Sequence, residues 1–336
     1  MTLGHYVGDL PRQDPLQALL GTIAGERLGA SERAGFLVFE LPGTNEIYVY
    51  EGHESGTRIV CKFFGTRYAG DVALATRAAC REQQALRGLR EMGLCGSPHH
   101  VVCPYGFDPG INCVLALEYY EGERLSEAID GALWRGEERR LSWRLGALAF
   151  FLATQHTRTA TETPVDFDVN CAYLDVLLSR LHDAGRVGQW DVDELCWLRE
   201  LWRARPWMRH DQQVWLHGDA TPANFLFGEH LDVAAIDLER CRPGDRLVDV
   251  GRIAGELQHA FLQAGGDTDR AALFIEHFVR AYCGHFPERE AMYAALTARL
   301  PYYMACTLLR VARNTYIDSD HASRLIDHSK QLLRTP

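Results

Sequence analysis

The hydrophobic pattern of this chain changes its period part-way along, and this change constrains the fold more than any other feature. Near the N-terminus, alternation typical of strands dominates, and turn-forming residues separate the strand-like runs. In order, the predicted elements are a helix over Pro15–Leu28, strands over Gly35–Leu41, Glu46–Glu51 and Thr57–Phe64, a helix over Asp71–Met92, and strands over Val101–Phe107 and Asn112–Glu118. This part of the chain therefore predicts a small lobe that is rich in β-structure.

The remainder of the chain is dominated by helical patterns. The predicted helices are Leu141–His156, Ala172–Leu181, Val192–Arg203, Leu247–Ala264, Arg270–Cys283 and Glu290–Tyr316, with short strands at Val214–Leu216, Asn224–Phe227 and Val233–Asp237. This order predicts an α+β fold with two lobes, a β-rich N-terminal lobe over residues 1–118 and a larger helical lobe over residues 119–336. A ligand cleft is expected where two such lobes meet.

Composition excludes several classes of partner. The 336 residues carry a formal net charge of −10 with a pI near 5.8, so we expect no nucleic-acid partner. The longest apolar segment, Leu145–Ala153, is too short to span a bilayer, and we expect no membrane partner. The ten cysteines have no zinc-ligand spacing, which is typical of free thiols in a reducing compartment. Without a recognisable secretory signal, a cytoplasmic protein is expected.

One loop carries residues suited to phosphoryl transfer. The strand-like run Val214–Leu216 leads into His217. Asp219 follows after one glycine, and Asn224 comes five residues after Asp219. A second strand-like run ends at Asp237. One carboxylate can take the proton of an acceptor hydroxyl, while an amide oxygen and a second carboxylate are suited to hold magnesium. A plain turn would use similar residue types, but the flanking strands and the later acid favour the functional interpretation.

The spacing of Asp219 and Asn224 is that of the protein-kinase catalytic loop, but His-Gly-Asp replaces His-Arg-Asp, and Ile-Asp-Leu-Glu stands where Asp-Phe-Gly would be. This combination resembles the aminoglycoside phosphotransferase and choline kinase families, which have a protein-kinase-like fold. The resemblance implies that Asp219 is the catalytic base, that Asn224 and Asp237 bind Mg²⁺, and that His217 supports the loop. It also implies ATP or GTP as phosphate donor.

The nucleotide side is expected in the N-terminal lobe. Lys62 lies late in an otherwise apolar strand, which favours a partner or a ligand for its ammonium group. Glu82, in the middle of the following helix, is the best candidate to pair with Lys62, and Glu91 is the competitor nearer the helix end. A solvated lysine and a solvated glutamate are the alternative interpretation.

Two further segments resemble nucleotide-binding parts of these families. Gly43 and Asn45 stand in a turn that is similar to the family's variant of the phosphate-covering loop, although a plain hairpin turn would have the same composition. By the same resemblance, the backbone groups of Glu118 and Tyr120 would contact the adenine edge of the nucleotide.

The acceptor side is much less defined. The resemblance implies a small-molecule acceptor that loses a hydroxyl proton to Asp219. An aminoglycoside or another amino-alcohol is expected, and choline, homoserine, a thiosugar and a secondary metabolite are the alternatives. Candidate acceptor residues are the carboxylates Glu239, Glu256, Asp267, Glu276, Asp318 and Asp320 and the aromatic residues Trp202, Trp207, Tyr302, Tyr303 and Tyr316. Asp249 either braces the loop, as in these families, or caps a helix. The sequence does not define the oligomeric state.

Two alternatives to a small-molecule kinase remain. A catalytically silent nucleotide-binding module of kinase shape would use the same fold, but such proteins generally lose a catalytic or metal-binding residue. A protein kinase would need a longer segment between Asp237 and Asp249 than this chain has.

Overall fold

A computed structural model of the chain describes residues 4–42 and 46–335. Contacts divide it into two compact units. The first comprises the chain up to Glu123 together with Gly228–Glu239, and the second comprises Arg124–Phe227 and the chain from Arg240 onward.

The first unit is built around an antiparallel sheet. Its strands are β1 (His5–Asp9), β2 (Phe36–Leu41), β3 (Glu46–Gly52), β4 (Arg58–Phe63), β5 (Cys95–Gly96), β6 (His99–Val101), β7 (Pro104–Asp108), β8 (Val114–Glu118) and β12 (Val233–Ala235), and its helices are α1 (Leu16–Leu28) and α2 (Val72–Glu91). Six of these strands form one sheet in the order β1-β2-β3-β4-β8-β7. In this sheet Lys62 lies opposite Ile47 on one side and Leu115 on the other, which fixes its position in the middle of the sheet.

Helix α1 closes one side of the core of this unit. Its Leu16, Leu20 and Ile23 are buried and belong to the same apolar cluster as Phe36 and Ile59 of the sheet. These three positions recur at the spacing that places side chains on one face of a helix, so the helix buries a continuous apolar stripe. The sheet that carries Lys62 is therefore held by a packed core.

Helix α2 and strand β12 bring acidic residues into the same unit. Asp71 caps α2 by accepting a hydrogen bond from the Leu74 amide at 3.0 Å, and Glu82 is one of the helix's buried residues. Strand β12 pairs with β6 in parallel, and the chain reaches Asp237 two residues after its end. The first unit therefore contains a lysine from the sheet, a glutamate from a helix and an aspartate that follows a strand.

The second unit is mainly helical. Its helices are α3 (Leu125–Arg135), α4 (Glu138–Arg158), α5 (Phe167–Asp183), α6 (Gln189–Arg203), α7 (Leu247–Ala264), α8 (Thr268–Cys283), α9 (Arg289–Thr297), α10 (Leu300–Ala312) and α11 (Ser319–Arg334), and its strands are β10 (Val214–Leu216), β11 (Phe225–Phe227) and β13 (Arg242–Gly244). Strand β9 (Glu123–Arg124) spans the division. Strands β10 and β13 pair antiparallel, with Leu216 opposite Arg242. This pairing fixes the strand that leads into the loop beginning at His217.

The predicted α+β class is confirmed, and several details differ. The single predicted helix Glu290–Tyr316 is wrong, because α9 ends at Thr297 and α10 starts at Leu300 with Pro301 in its first turn. Proline lacks the amide that a continuing helix needs, but it fits the first turn of a new one. Strand β1 and helices α3 and α11 were not predicted.

The division between units also differs from the expected boundary at 118/119. It falls after Glu123, and Gly228–Glu239, which includes Asp237, groups with the first unit rather than the second. The segment's strand β12 pairs with β6, and this accounts for the grouping. Gly43 and Asn45, the two predicted phosphate-loop residues, lie outside the described residues.

Two expectations from composition can be compared with the structure. All ten cysteines are free thiols, as predicted. Over residues 4–42 and 46–335, no helix combines the length and the apolar character that crossing a membrane requires.

Close packing of α7 on α10 generates a prediction about stability. A Cβ atom on Gly251 would lie 2.4 Å from Tyr303 Cβ, so Gly251→Ala forces the two helices apart. We expect the free energy of unfolding to fall by about 1–3 kcal/mol because overpacking outweighs the better helix propensity of alanine. Chemical denaturation measures this change.

Gly146→Ala is the matched control, since Gly146 lies in α4 and the nearest atom to its added Cβ is 4.0 Å away. That variant should be stabilised by about 0.5–1 kcal/mol. Equal stability of the Gly251 variant and the wild type would contradict the packing argument.

Candidate active site

Lys62 is the centre of a buried ionic cluster in the first unit. Its Nζ donates hydrogen bonds to Glu82 Oε2 at 2.7 Å and to Asp237 Oδ1 at 2.5 Å, and Glu239 Oε2 lies 3.4 Å away. Arg67 Nη1 donates to the same Glu239 oxygen at 2.7 Å. Lys62 is 2% exposed and Glu82 is fully buried, whereas the Asp237 side chain is 33% exposed, so the cluster extends from the core toward the solvent.

Burial and charge oppose each other in this cluster. Burial lowers the pKa of Lys62, but the carboxylates of Glu82, Asp237 and Glu239 outweigh it and hold that pKa above its usual range. Burial raises the pKa of Glu82 to about 7, although the Lys62 ammonium acts in the opposite direction. Three carboxylates face two cationic groups here, and a cation bound at this place would favour the charged form of Glu82.

The carboxylate oxygens of Glu82, Asp237 and Glu239 lie within 4.8 Å of one another. Oxygen ligands of this kind fit a hard divalent cation such as Mg²⁺. Asp237 has a positive φ of 61°, a left-handed conformation that is uncommon for residues other than glycine. Such backbone strain is often found at functional sites.

Glu118 and Tyr120 both have partners within the first unit. Glu118 Oε2 accepts hydrogen bonds from the Cys103 amide and from His100 Nε2, each at 2.8 Å, and these contacts hold the pKa of the carboxyl below its usual range against the effect of burial. The Glu118 amide donates to the Cys103 carbonyl at 2.9 Å, so the predicted adenine contact could use only its carbonyl. The Tyr120 ring stacks on His100 at 5.5 Å.

In the second unit, the buried carboxylate of Asp249 anchors the loop that follows β10. Its Oδ2 accepts a hydrogen bond from the His217 amide at 2.7 Å, and its Oδ1 accepts one from the Gly218 amide at 3.0 Å. His156 Nε2 lies 3.3 Å from Oδ2, and His156 Nδ1 lies 2.9 Å from the Tyr282 hydroxyl. Asp249 was expected either to brace the loop or to cap a helix, and these contacts show that it braces the loop.

The surroundings of Asp249 determine its protonation. Burial raises the pKa of Asp249, but His156, His217 and the Gly218 amide together hold that pKa below its usual range. Burial lowers the pKa of His156 despite its carboxylate partner. A neutral ring that donates from Nε2 to Asp249 and accepts from Tyr282 at Nδ1 satisfies both contacts.

Gly218 cannot be replaced by another residue without moving the loop. Its φ is 80°, and a Cβ atom built on it would lie 2.1 Å from the Arg240 carbonyl oxygen. Both the backbone conformation and the close approach of the chain at Arg240 require glycine here. The His-Gly-Asp motif therefore has a steric reason as well as a chemical one.

Asn224 ties the end of the loop back to Asp219. Its Nδ2 donates to the Asp219 carbonyl at 2.9 Å, and the Asn224 amide donates to the Thr221 carbonyl at 3.0 Å. Asn224 is buried, and with its nitrogen engaged, its amide oxygen is the atom suited to bind a metal. His217 is fully buried and its ring contacts Phe225, which is consistent with a supporting position.

The carboxylate of Asp219 is surrounded by guanidinium groups. Arg310 Nη2 donates to Oδ1 at 2.9 Å, Arg252 Nη1 lies 3.8 Å from the same oxygen, and Arg240 Nε lies 3.9 Å from Oδ2. Arg310 also pairs with Glu256 Oε1 at 3.1 Å. Sequence reasoning missed all three arginines, because they lie on separate parts of the chain, Arg240 in a turn and Arg252 and Arg310 on helices, and no local pattern distinguishes them from ordinary charged residues.

Most of the acceptor candidates from the sequence have structural roles instead. Asp267 and Asp318 cap α8 and α11, Glu276 pairs with Arg280 and Tyr293, and Glu239 belongs to the Lys62 cluster. Trp202, Tyr302 and Tyr303 are buried in the core. Among the carboxylate candidates, Glu256 lies near Asp219, because Arg310 donates hydrogen bonds to both carboxylates.

Comparisons with known proteins identify the family. The sequence profile described as "Phosphotransferase enzyme family" matches residues 45–295. The chain therefore belongs to the phosphotransferase enzyme family, and it is an enzyme of the small-molecule phosphotransferase class with a protein-kinase-like fold. Among curated protein sequences, none matches the chain significantly.

Solved structures with low sequence identity share this fold. An amicoumacin kinase in complex with AMP-PNP and Ca²⁺ has 15% identity and a TM-score of 0.57, with 88% of this chain and 87% of that chain covered. An ethanolamine kinase of Plasmodium vivax has 12% identity and a TM-score of 0.55, covering 88% and 82%. The ternary complex of streptomycin, ATP and APH(2'')-IIa has 12% identity and a TM-score of 0.56, covering 96% and 99%.

The anchoring of the loop by Asp249 can be tested with Asp249→Asn. The variant loses one of the two carboxylate oxygens that the His217 and Gly218 amides need, so one buried N–H is left without an acceptor. We expect the free energy of unfolding to fall by about 1–3 kcal/mol. Chemical denaturation gives the change, and the rate of nucleoside diphosphate release from ATP should fall with it.

Asp327→Asn, at an exposed position of α11, is the matched control and should change neither quantity. If Asp249→Asn were as stable and as active as the wild type, the two amide contacts would not hold the loop.

Proposed function

We propose that this enzyme transfers the γ-phosphate of ATP or GTP to a hydroxyl group of a small molecule, with Asp219 as the catalytic base. The observation that carries the proposal is the loop geometry, in which Asp249 fixes the amides of His217 and Gly218, and Asn224 holds the Asp219 carbonyl. A carboxylate on a loop held in this way has a defined position, which proton transfer from a bound hydroxyl requires.

The proposed reaction is a single displacement at phosphorus. The acceptor oxygen forms a bond to the γ-phosphorus while the bond from that phosphorus to the bridging oxygen of the β-phosphate breaks. The hydroxyl proton passes to Asp219, and the nucleoside diphosphate leaves with the bonding electron pair. Little covalent chemistry is left to the protein, so positioning and charge provide most of the rate enhancement.

The proposed donor-side roles follow the chemistry of the side chains. Lys62, held by Glu82, would bind phosphate oxygens of the nucleotide, and Asp237 and Asn224 are the proposed ligands of Mg²⁺. A bound Mg²⁺ would neutralise part of the negative charge of the triphosphate. Glu239 is a further candidate ligand, since its oxygen belongs to the same group of carboxylates as Asp237.

The proposed acceptor is a small molecule that carries a hydroxyl group. An aminoglycoside or another amino-alcohol is expected from the family resemblance and stays a prediction. The guanidinium groups around Asp219 do not favour a cationic group next to this carboxylate.

Asp219→Asn tests the role of the base, because asparagine keeps the size of the side chain and cannot take a proton. We expect nucleoside diphosphate release to fall by at least about 100-fold, the usual contribution of a general base. Isothermal titration should give a similar Kd for ATP with Mg²⁺ in the variant and the wild type.

Asp327→Asn serves again as the exposed control and should keep the wild-type rate. Full activity of Asp219→Asn would remove the base from the proposal, and loss of ATP binding in that variant would mean that Asp219 serves the nucleotide rather than the acceptor.

A further inference from the structure

Positive charge exceeds negative charge around the proposed base. Arg240, Arg252 and Arg310 lie within 3.9 Å of Asp219, and the second carboxylate at this place is Glu256. Burial raises the pKa of Glu256 although the arginines oppose it, which weakens its contribution of negative charge. Among the described residues, Asp219 thus has three guanidinium groups within 3.9 Å, and one of them, Arg310, also pairs with Glu256.

The excess of positive charge extends beyond the immediate neighbours of Asp219 and includes Arg313. This residue follows α10 directly, one helical turn after Arg310, so the two side chains are neighbours. Burial together with the like charges of Arg180, Arg310 and Arg240 lowers the pKa of Arg313. In the described part of the chain, neither Arg313 nor the exposed Arg180 of α5 forms a salt bridge.

Two of these arginines also have donors without acceptors. Arg252 is 6% exposed and Arg310 is largely buried, yet Arg252 Nη1 and Arg310 Nε are buried atoms with no hydrogen-bond partner among the described residues. An unsatisfied buried donor is costly, and a charged one more so. Like charges gathered at one place with donors to spare are typical of a site that receives an anion.

We propose that Arg180, Arg240, Arg252, Arg310 and Arg313 form the acceptor-binding surface, named here the arginine surface, and that the acceptor is an alcohol that also carries an acidic group. This inference rests on the proposed function, because it takes Asp219 as the base that receives the acceptor's hydroxyl proton. Arg310 already contacts Asp219, so an acidic group bound by Arg310 and Arg313 would hold the acceptor's hydroxyl next to the base. The acidic group, a carboxylate or a phosphate, supplies the acceptors that the guanidinium donors lack.

A cationic acceptor fits the same surface poorly. An ammonium group beside Arg310 and Arg313 would add a like charge to an excess that is already positive, at a place where burial weakens screening by water. The charge pattern therefore favours acidic alcohols over the amino-alcohols expected from the family resemblance.

Two matched sets of acceptors test the proposal with the whole enzyme, ATP and Mg²⁺. The first set is glycerol, 3-aminopropane-1,2-diol, glycerate and glycerol 3-phosphate, and the second is glucose, glucosamine, glucuronate and glucose 6-phosphate. Nucleoside diphosphate release is measured over a range of acceptor concentrations. We expect kcat/KM for an acidic member to exceed that of the amine on the same scaffold by at least about tenfold, the effect of one charge-assisted contact.

The carboxylate and phosphate members distinguish the two kinds of acidic group. Equal or better turnover of the neutral or amine members overturns the proposal, and so does the absence of stimulation by every acidic member. In the first of these cases, loss of that turnover in Asp219→Asn would still support the proposed function, so the two failures are distinguishable.

Substitution of Arg313 provides the second arm, since this residue makes no salt bridge with the residues that the structure describes. We expect Arg313→Gln to raise KM for the best acidic acceptor by about tenfold or more while KM for ATP stays unchanged, and we expect Arg313→Lys to restore most of the affinity. Arg324→Gln, at an exposed arginine of α11, is the matched control and should leave both constants unchanged.

A different result would indicate that the arginines bind the transferred phosphoryl group rather than the acceptor. In that case Arg313→Gln would lower kcat to the same extent with all acceptors and leave their KM values unchanged. This outcome, or an unchanged KM for the acidic acceptor, overturns the proposal.

Discussion

The hydrogen bonds from two successive backbone amides to one buried carboxylate are the interaction on which the second unit's candidate site depends. Asp249 accepts from His217 and Gly218, and its own position is set by α7 and by His156. Because a carboxylate offers two oxygens in one plane, it can fix the direction of the chain as well as its place. Asp219, the next residue along, is thereby held without making the anchoring contact itself. The carboxylate proposed as the base can therefore face a substrate while the structure that positions it stays buried.

The Lys62 cluster follows a different principle. Here the functional side chain is itself buried, and three carboxylates compete for its ammonium group. Such a cluster is costly to desolvate, and it contributes to function by fixing where charge is located. Glu82 comes from a helix and Asp237 from a strand end, so the lysine is held from two independent elements. An arrangement of this kind keeps the carboxylates proposed to bind a metal ion and the lysine proposed to bind phosphate in the same small volume.

The parts of the site that could be predicted from the sequence are those written in short segments. The five-residue step from Asp219 to Asn224, the glycine between His217 and Asp219, and a lone lysine in an apolar strand each constrain local geometry. The break between α9 and α10 was missed because apolar residues continue across it and only Pro301 marks it. The guanidinium groups around Asp219 were missed for another reason. Residues 219, 252 and 310 become neighbours only through the packing of α7 and α10, and an arginine on an amphipathic helix has no local signal that separates a site from a solvated face.

Net charge and the charges near Asp219 favour different kinds of ligand. A chain with a formal charge of −10 suggests a preference for cations, yet the carboxylate proposed as base lies among arginines. The field at a site is determined by the few charges within about one Debye length, roughly 8 Å at physiological ionic strength, and burial strengthens those few against the rest. The acidic surface of the molecule and the cationic surroundings of Asp219 are therefore compatible, and the local charges carry more information about the substrate. If the proposed acceptor is acidic, an overall negative charge would slow its approach, and the arginine surface would hold it once it has arrived.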